Sequence, residues 1–192
     1  MSEMKKNNST RLFSTRTLAY MAMLAALNVV LARFIGLMPS ADSRFSIEAV
    51  PVILSGLFFG PIAGAVTGFV GDAVGCLFSG YGYNPMFAVA PILYGLLPGL
   101  LRFMIKDEAK PKLWKIIVIV LVPVVFGSVL WQSFPMAIYY GAKSGKGYLA
   151  YASARALQYA VTGPLEILVV WLLFKSGIFE QMKVWQPDIK TI

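Results

Sequence analysis

Six apolar runs, separated by short polar breaks rich in glycine and proline, organise the chain. The first covers about 17–36, behind a basic start that holds Lys5, Lys6, Arg11 and Arg16. A run of that length predicts a spanning helix. A cleaved signal peptide also opens with basic residues before an apolar run, but this run exceeds the usual apolar core of a signal and further spans follow. The second run, about 47–59, stops at Gly60-Pro61, a pair that predicts a tight hairpin turn. The third opens at Pro61, where proline suits the first helical turn because its missing N–H costs nothing there, and continues to about residue 78. "SGYGYNP" reads as a loop. A fourth helix over 86–104, a basic loop "KDEAKPK" and a fifth helix over 113–140 follow, the last with breaks expected at Pro123 and Pro135. "GAKSGKGY" leads into a sixth helix over 149–174.

Composition makes the same case. Of 192 residues, 58% are hydrophobic and 14% charged, where soluble domains carry roughly a quarter of charged residues. The pattern predicts an all-α integral membrane protein with six transmembrane helices. Its segments are a cytoplasmic N-terminal stretch 1–16, a membrane domain 17–175 and a cytoplasmic tail 176–192, so the chain is a multi-pass protein of the cell membrane. The net charge of +8 follows topology. With six spans, Arg33, Arg44, Lys143, Lys146 and Arg155 fall on one side and the remaining Lys and Arg on the side of the termini; positive loops stay cytoplasmic, which puts both termini there. No nucleic-acid partner is expected.

The chain has no histidine and one cysteine, Cys76. Imidazole-dependent triads, the commonest zinc ligand and cysteine clusters are therefore excluded, and no metal or catalytic residue is expected. "GAKSGKG" has the flavour of a phosphate loop, but its glycine spacing is short and glycine follows Lys146. No nucleotide site is read from it.

Four constellations carry the functional reading. Ala19, Ala22 and Ala26 share one face of the first helix, a small-residue stripe that serves either packing within the protein or docking of a second membrane subunit. Gly60, Gly64 and Gly68, then Gly71 and Gly75, give the third helix two glycine-lined surfaces suited to close packing. Asp72 lies within an apolar span, where a carboxylate is costly and lines a cavity, a partner or a pathway. Glu48, expected at the outer face where it would also complement a helix N-terminus, joins Arg44, Tyr81, Tyr83, Asn84, Trp131, Gln132, Arg155, Gln158 and Tyr159 in the outer half. Such a collection suits a flat ring with an anionic end: aromatics stack, carboxylates and amides pair with ring N–H groups, and arginine forks match carboxylates.

The alanine stripe, the segment "RFSIEAVPVILSGLFFGPIAGAVTGFVGD" and the loop "YGYNP" together resemble the substrate-binding S components of energy-coupling factor (ECF) vitamin transporters, most closely those for folate. The similarity is best over 19–102. It implies a module without chemistry of its own that binds a vitamin from outside and docks on a transmembrane coupling subunit associated with two ATPases, Ala22 and Ala26 forming the docking face. Folate is then cargo and no cofactor is needed. Arg44, Phe45 and Glu48 would belong to the first gating loop and the start of the second helix, and Asp72 to the pocket wall. Asp72 or Glu48 would face the pterin amino edge, and Arg44 or Arg155 the glutamate end. Rival readings are an S component for riboflavin, pantothenate or a pyridoxine-like molecule, an intramembrane enzyme using Asp72 and Glu48, disfavoured because the two are expected at different depths, and an autonomous proton-coupled carrier.

Overall fold

A computed structural model describes residues 15–35, 37–40, 43–45, 47–78, 83–105 and 111–177. The termini called cytoplasmic above, apart from residues 15–16 and 176–177, and Tyr81 lie outside the described residues. Helix α1 (Thr15–Val30) runs on through a wider π-helical turn, Leu31–Ile35, into a hairpin of β1 (Leu37–Ser40) and β2 (Ser43–Phe45). Then come α2 (Ala49–Phe59), α3 (Pro61–Leu77), α4 (Pro85–Leu101) with a 3-10 turn at Arg102–Met104, α5 (Leu113–Pro123), a π-helical stretch Val124–Gln132, α6 (Ser133–Ser144) and α7 (Tyr148–Lys175). Counting α5 to α6 as one helix gives the six expected. Those over Thr15–Arg33, Pro85–Met104, Leu113–Gly141 and Tyr148–Lys175 are long and apolar enough to cross a membrane, while α2 and α3 are shorter. The protein is an integral membrane protein.

Two features depart from the sequence pattern. Strands β1 and β2 pair antiparallel, with a register that slips between the Leu37–Phe45 and Ser40–Ser43 pairs. Polar turn formers gave no strand alternation by which to foresee it. Pro123 and Pro135 do not break the fifth helix either. Instead, the chain widens into π turns directly after Pro123, which has no N–H to give to the preceding turn.

Helix α2 is the centre of the bundle. "AVPVILSGLFF" has no polar face, and a helix apolar all round must be surrounded. Its residues from Ala49 to Phe58 are all buried, against α1, α3, α4 and α7. Its one hydroxyl, on Ser55, lies 2.7 Å from that of Thr67 on α3. Gly60 turns the chain with φ +97°, a conformation glycine alone adopts without strain, and its N–H closes α2 on Gly56 O at 2.9 Å. The predicted hairpin turn is there.

The two glycine surfaces of α3 face different neighbours. A Cβ on Gly64 would fall on the carbonyl oxygen of Gly95, and one on Gly68 on that of Pro91, so this face is in backbone contact with α4. Gly71 and Gly75 face α1 instead, where a Cβ would come 2.5 Å from Asn28 Oδ1 and 3.3 Å from an Arg33 guanidinium nitrogen respectively. The buried face of α1 is Met21, Ala25 and Val29, continued by Ala32 of the π-helical turn, whereas Ala19, Ala22 and Ala26 are exposed.

Heights follow from the helical rise. The 11 residues of α2 climb about 16 Å from the Gly60 turn, roughly half of the hydrocarbon core. Glu48 is therefore in the middle of the bundle, not at its outer face as expected. Asn28 of α1 confirms that level by donating to the Glu48 carbonyl at 2.6 Å. Asp72 lies as far after Gly60 as Glu48 lies before it. The two carboxylates share one depth on neighbouring helices, which corrects the different depths expected of them.

Candidate functional site

Helix α7 presents lipid-type residues on most of its surface: Leu149, Leu157, Val161, Leu165, Leu168 and Leu172 are exposed. One face differs. Tyr151, Arg155, Gln158, Thr162 and Glu166 recur at the spacing of a single helical face and turn into the bundle. Glu166 is 1% exposed and Gln158 5%. Polar side chains so placed in a spanning helix mark a ligand or ion route, because lipid would not repay their dehydration.

Neighbouring elements supply more polar groups to this face. Tyr94 OH on α4 lies 2.7 Å from Ser128 Oγ, and Ser128 donates to Tyr159 OH at 2.8 Å. Serine has one hydroxyl proton, so Tyr94 supplies the hydrogen of the first bond. The π-helical stretch after Pro123 carries Ser128, which is buried on the bundle side. Glu48 on α2 lies within electrostatic range of Glu166, and Glu166 within range of Tyr94 and Tyr159.

Two atoms in this face stand out. Arg155 reaches Met136 Sδ at 3.2 Å, a poor acceptor for a guanidinium, and its buried Nε has no hydrogen-bond partner among the described residues. The buried Oε2 of Glu166 likewise accepts no hydrogen bond among them. Arg155 and Glu166 are about 16 Å apart along the α7 axis.

The other residues singled out in the sequence are distributed more widely. Arg44 and Phe45 belong to β2, which touches α7; their side chains lie outside the described residues. Asp72 is half-buried with Oδ2 fully enclosed. The Asn84 side chain caps α4, accepting from Met86 N at 3.0 Å. Tyr83 is exposed and meets Phe69 edge-on. Trp131 gives its indole N–H to Met86 O at 3.0 Å, and Gln132 next to it is half-buried. Trp131 lines an apolar groove of about 910 Å³ with Leu93, Phe126, Leu130, Phe134 and Tyr148, away from the polar face and open to the side. Arg155, Gln158 and Tyr159 are thus assembled together, whereas Tyr83, Asn84 and Trp131 stand apart from them.

Sequence reasoning missed Tyr94, Ser128, Thr162 and Glu166. Glu166 was available: it is an acid within the apolar run "GPLEILVVW", the same signal that marked Asp72. Among the described residues no cluster of metal-ligating side chains occurs.

Comparison with known proteins fits this architecture. Residues 12–176 match the family described as ECF-type riboflavin transporter, S component. Folate transporter FolT of Clostridium novyi (strain NT) is 24% identical over 158 residues, 81% of this chain and 86% of that protein. Among solved structures, FolT bound with folic acid superposes with a TM-score of 0.72 at 25% identity, covering 85% of this chain and 95% of that one. The S component for biotin from an ECF-type ABC transporter gives 0.56 at 19% identity, over 88% of this chain and 94% of that one, which shows a shared fold. The chain belongs to the S-component family of ECF-type transporters.

Proposed function

We propose that this S component binds folate from outside the cell and delivers it inward with a coupling module. The observation that carries this reading is the buried polar face of α7, with the Arg155 guanidinium at one end, an Nε there without a partner. A buried N–H of a cation calls for an anion. Folate ends in a glutamate; riboflavin ends in an uncharged ribityl chain, and thiamine carries the opposite charge. The similarity to FolT supports the same choice, whereas the family as described is named for riboflavin.

In this reading the glutamate end meets Arg155, with Arg44 on β2 near the same end. Gln158 and Tyr159 line the passage, Phe45 belongs with Arg44 to the first gating loop, and Glu48 and Asp72 are the wall carboxylates facing ring N–H groups. Gln132, Tyr83, Asn84 and Trp131 form the rim. The termini are cytoplasmic, as the basic residues predict. Lys115 donating to Met104 O, and the Lys175–Trp171 and Arg16–Tyr20 cation–π pairs, all lie at that end, where a membrane interface favours such groups. The exposed Ala19, Ala22 and Ala26 then dock on a transmembrane coupling subunit that carries two ATPases, since α1 uses its other face for its own bundle.

The test is calorimetric titration of the purified protein with folate, riboflavin, thiamine and pantothenate in parallel. Saturable binding of folate alone supports the reading. Binding of riboflavin in its place keeps the family and overturns the ligand.

A further inference from the structure

We propose that Glu166 is the specificity-determining group of this site, accepting the paired N–H donors of a 2-amino-4-oxopyrimidine edge and refusing an imide edge. The inference rests on the folate reading and names the residue that selects the ring.

Glu166 is an acid nine-tenths and more buried, deep in the bundle, and its Oε2 accepts nothing among the described residues. Nature rarely retains such a group without a donor to meet it, because an unsatisfied buried acceptor is costly. Its surroundings narrow the donor. Tyr94 gives its proton to Ser128, and Ser128 gives its own to Tyr159, so neither of these hydrogens is available to Glu166 and the Tyr159 hydroxyl is the one donor of this hydroxyl chain left over. Glu48 places a second carboxyl group within electrostatic range. A ligand edge that fits here must bring several N–H groups and no carbonyl directed at the carboxylates.

A pterin provides that edge. Its N3–H and 2-amino group stand side by side and match the two oxygens of one carboxylate, in the manner of a guanidinium. The second hydrogen of the amine is left for Glu48. The pyrimidinedione edge of a flavin presents carbonyl, N–H, carbonyl, and placing two carbonyl oxygens against Glu166 repels both. Glu166 therefore separates the two ligands that the comparisons name, and Arg155 at the far end of the same face separates charged from uncharged tails.

The experiment is a two-by-two comparison by titration calorimetry: wild type and Glu166→Gln against folate and 2-desamino folate, with riboflavin as a fifth titration on the variant. The expected result is a roughly 10- to 100-fold loss when the amine is removed from the ligand of the wild type, and a much smaller further loss in Glu166→Gln. The variant should also gain measurable riboflavin binding, because an amide offers the imide one donor and one acceptor. Equal binding of folate and its desamino analogue by the wild type overturns the proposal without requiring the variant to fold, as does a ligand penalty undiminished in a folded Glu166→Gln. Failure of the wild type to bind folate overturns the folate reading itself, a result distinct from either.

Discussion

Gly64 of α3 and Gly95 of α4 meet backbone to backbone, each occupying the place where a Cβ of the other would sit. Helices approach this closely in a membrane only when the side chains between them are removed, and the gain is dispersion contact between the two backbones. Since neither carbonyl can retreat without breaking its helix, Gly95→Ala should destabilise the protein by about 3 kcal/mol. Gly163 on α7 is the control, because nothing lies within 4 Å of its Cβ position. Gly163→Ala should be neutral or stabilising by about 0.5 to 1 kcal/mol. Thermal unfolding in detergent, followed by size-exclusion recovery after heating, would separate the two; equal midpoints would show that the α3–α4 contact is not structural.

The exposed alanines of α1 predict a separation of binding from transport. Ala22→Leu with Ala26→Leu adds bulk where the bundle has no need of the space and where lipid tolerates leucine. Folate titration of the isolated variant should match the wild type, while ATP-dependent uptake in vesicles containing the coupling subunits should be lost. Uptake at the wild-type rate would remove this face from the docking surface.

Arg155 predicts a dependence on the ligand's tail. Arg155→Gln should weaken folate by roughly 10-fold or more, the cost of losing one charge-assisted hydrogen bond, and leave the primary amide of pteroic acid, which has no carboxylate, unchanged. If both ligands weakened equally, Arg155 would be acting through the shape of the site.

Asp72 stands at the height of Glu48 and beside the α1–α3 contact made by Gly71 and Asn28. Asp72→Asn should lower folate affinity by about 1 to 3 kcal/mol if its carboxylate faces a ring N–H, with no comparable change in thermal midpoint. An unchanged affinity would assign Asp72 to the packing of α1 on α3.

Element by element, the chain was legible where its signals are local. Apolar run length fixed the six helices, Gly60-Pro61 fixed the α2–α3 turn, and glycine spacing fixed the faces of α3. The hairpin at 37–45 was not legible, because its strands carry serine, proline and arginine in place of alternating apolar residues and its pairing is settled by tertiary contact. The depth of Glu48 is not legible for a related reason: a helix of 11 residues is too short to run from one membrane surface to the other, and the rise from Gly60 shows where it begins. On the site, the sequence pointed to Arg155, Gln158 and Tyr159 on α7. The hydroxyl chain from Tyr94 to Ser128 depends on the π-helical register after Pro123, which no periodicity announces. Tyr83, Asn84 and Trp131 make an edge contact, a helix cap and a bond to a carbonyl, contacts that residue type alone does not announce.

Helix α7 is a single helix of 28 residues, with Pro164 between Arg155 and Glu166. Because Arg155 and Glu166 belong to the same helix, their separation is a fixed count of helical steps and does not depend on how any two helices lie against each other. In the folate reading these two residues act as a ruler. A molecule too short to touch both marks forfeits one of its two ends, and a longer tail must project past Arg155 toward water, where extra length costs nothing. In that reading, cargo held by two residues of one helix stays in register with that helix when the helices shift against one another.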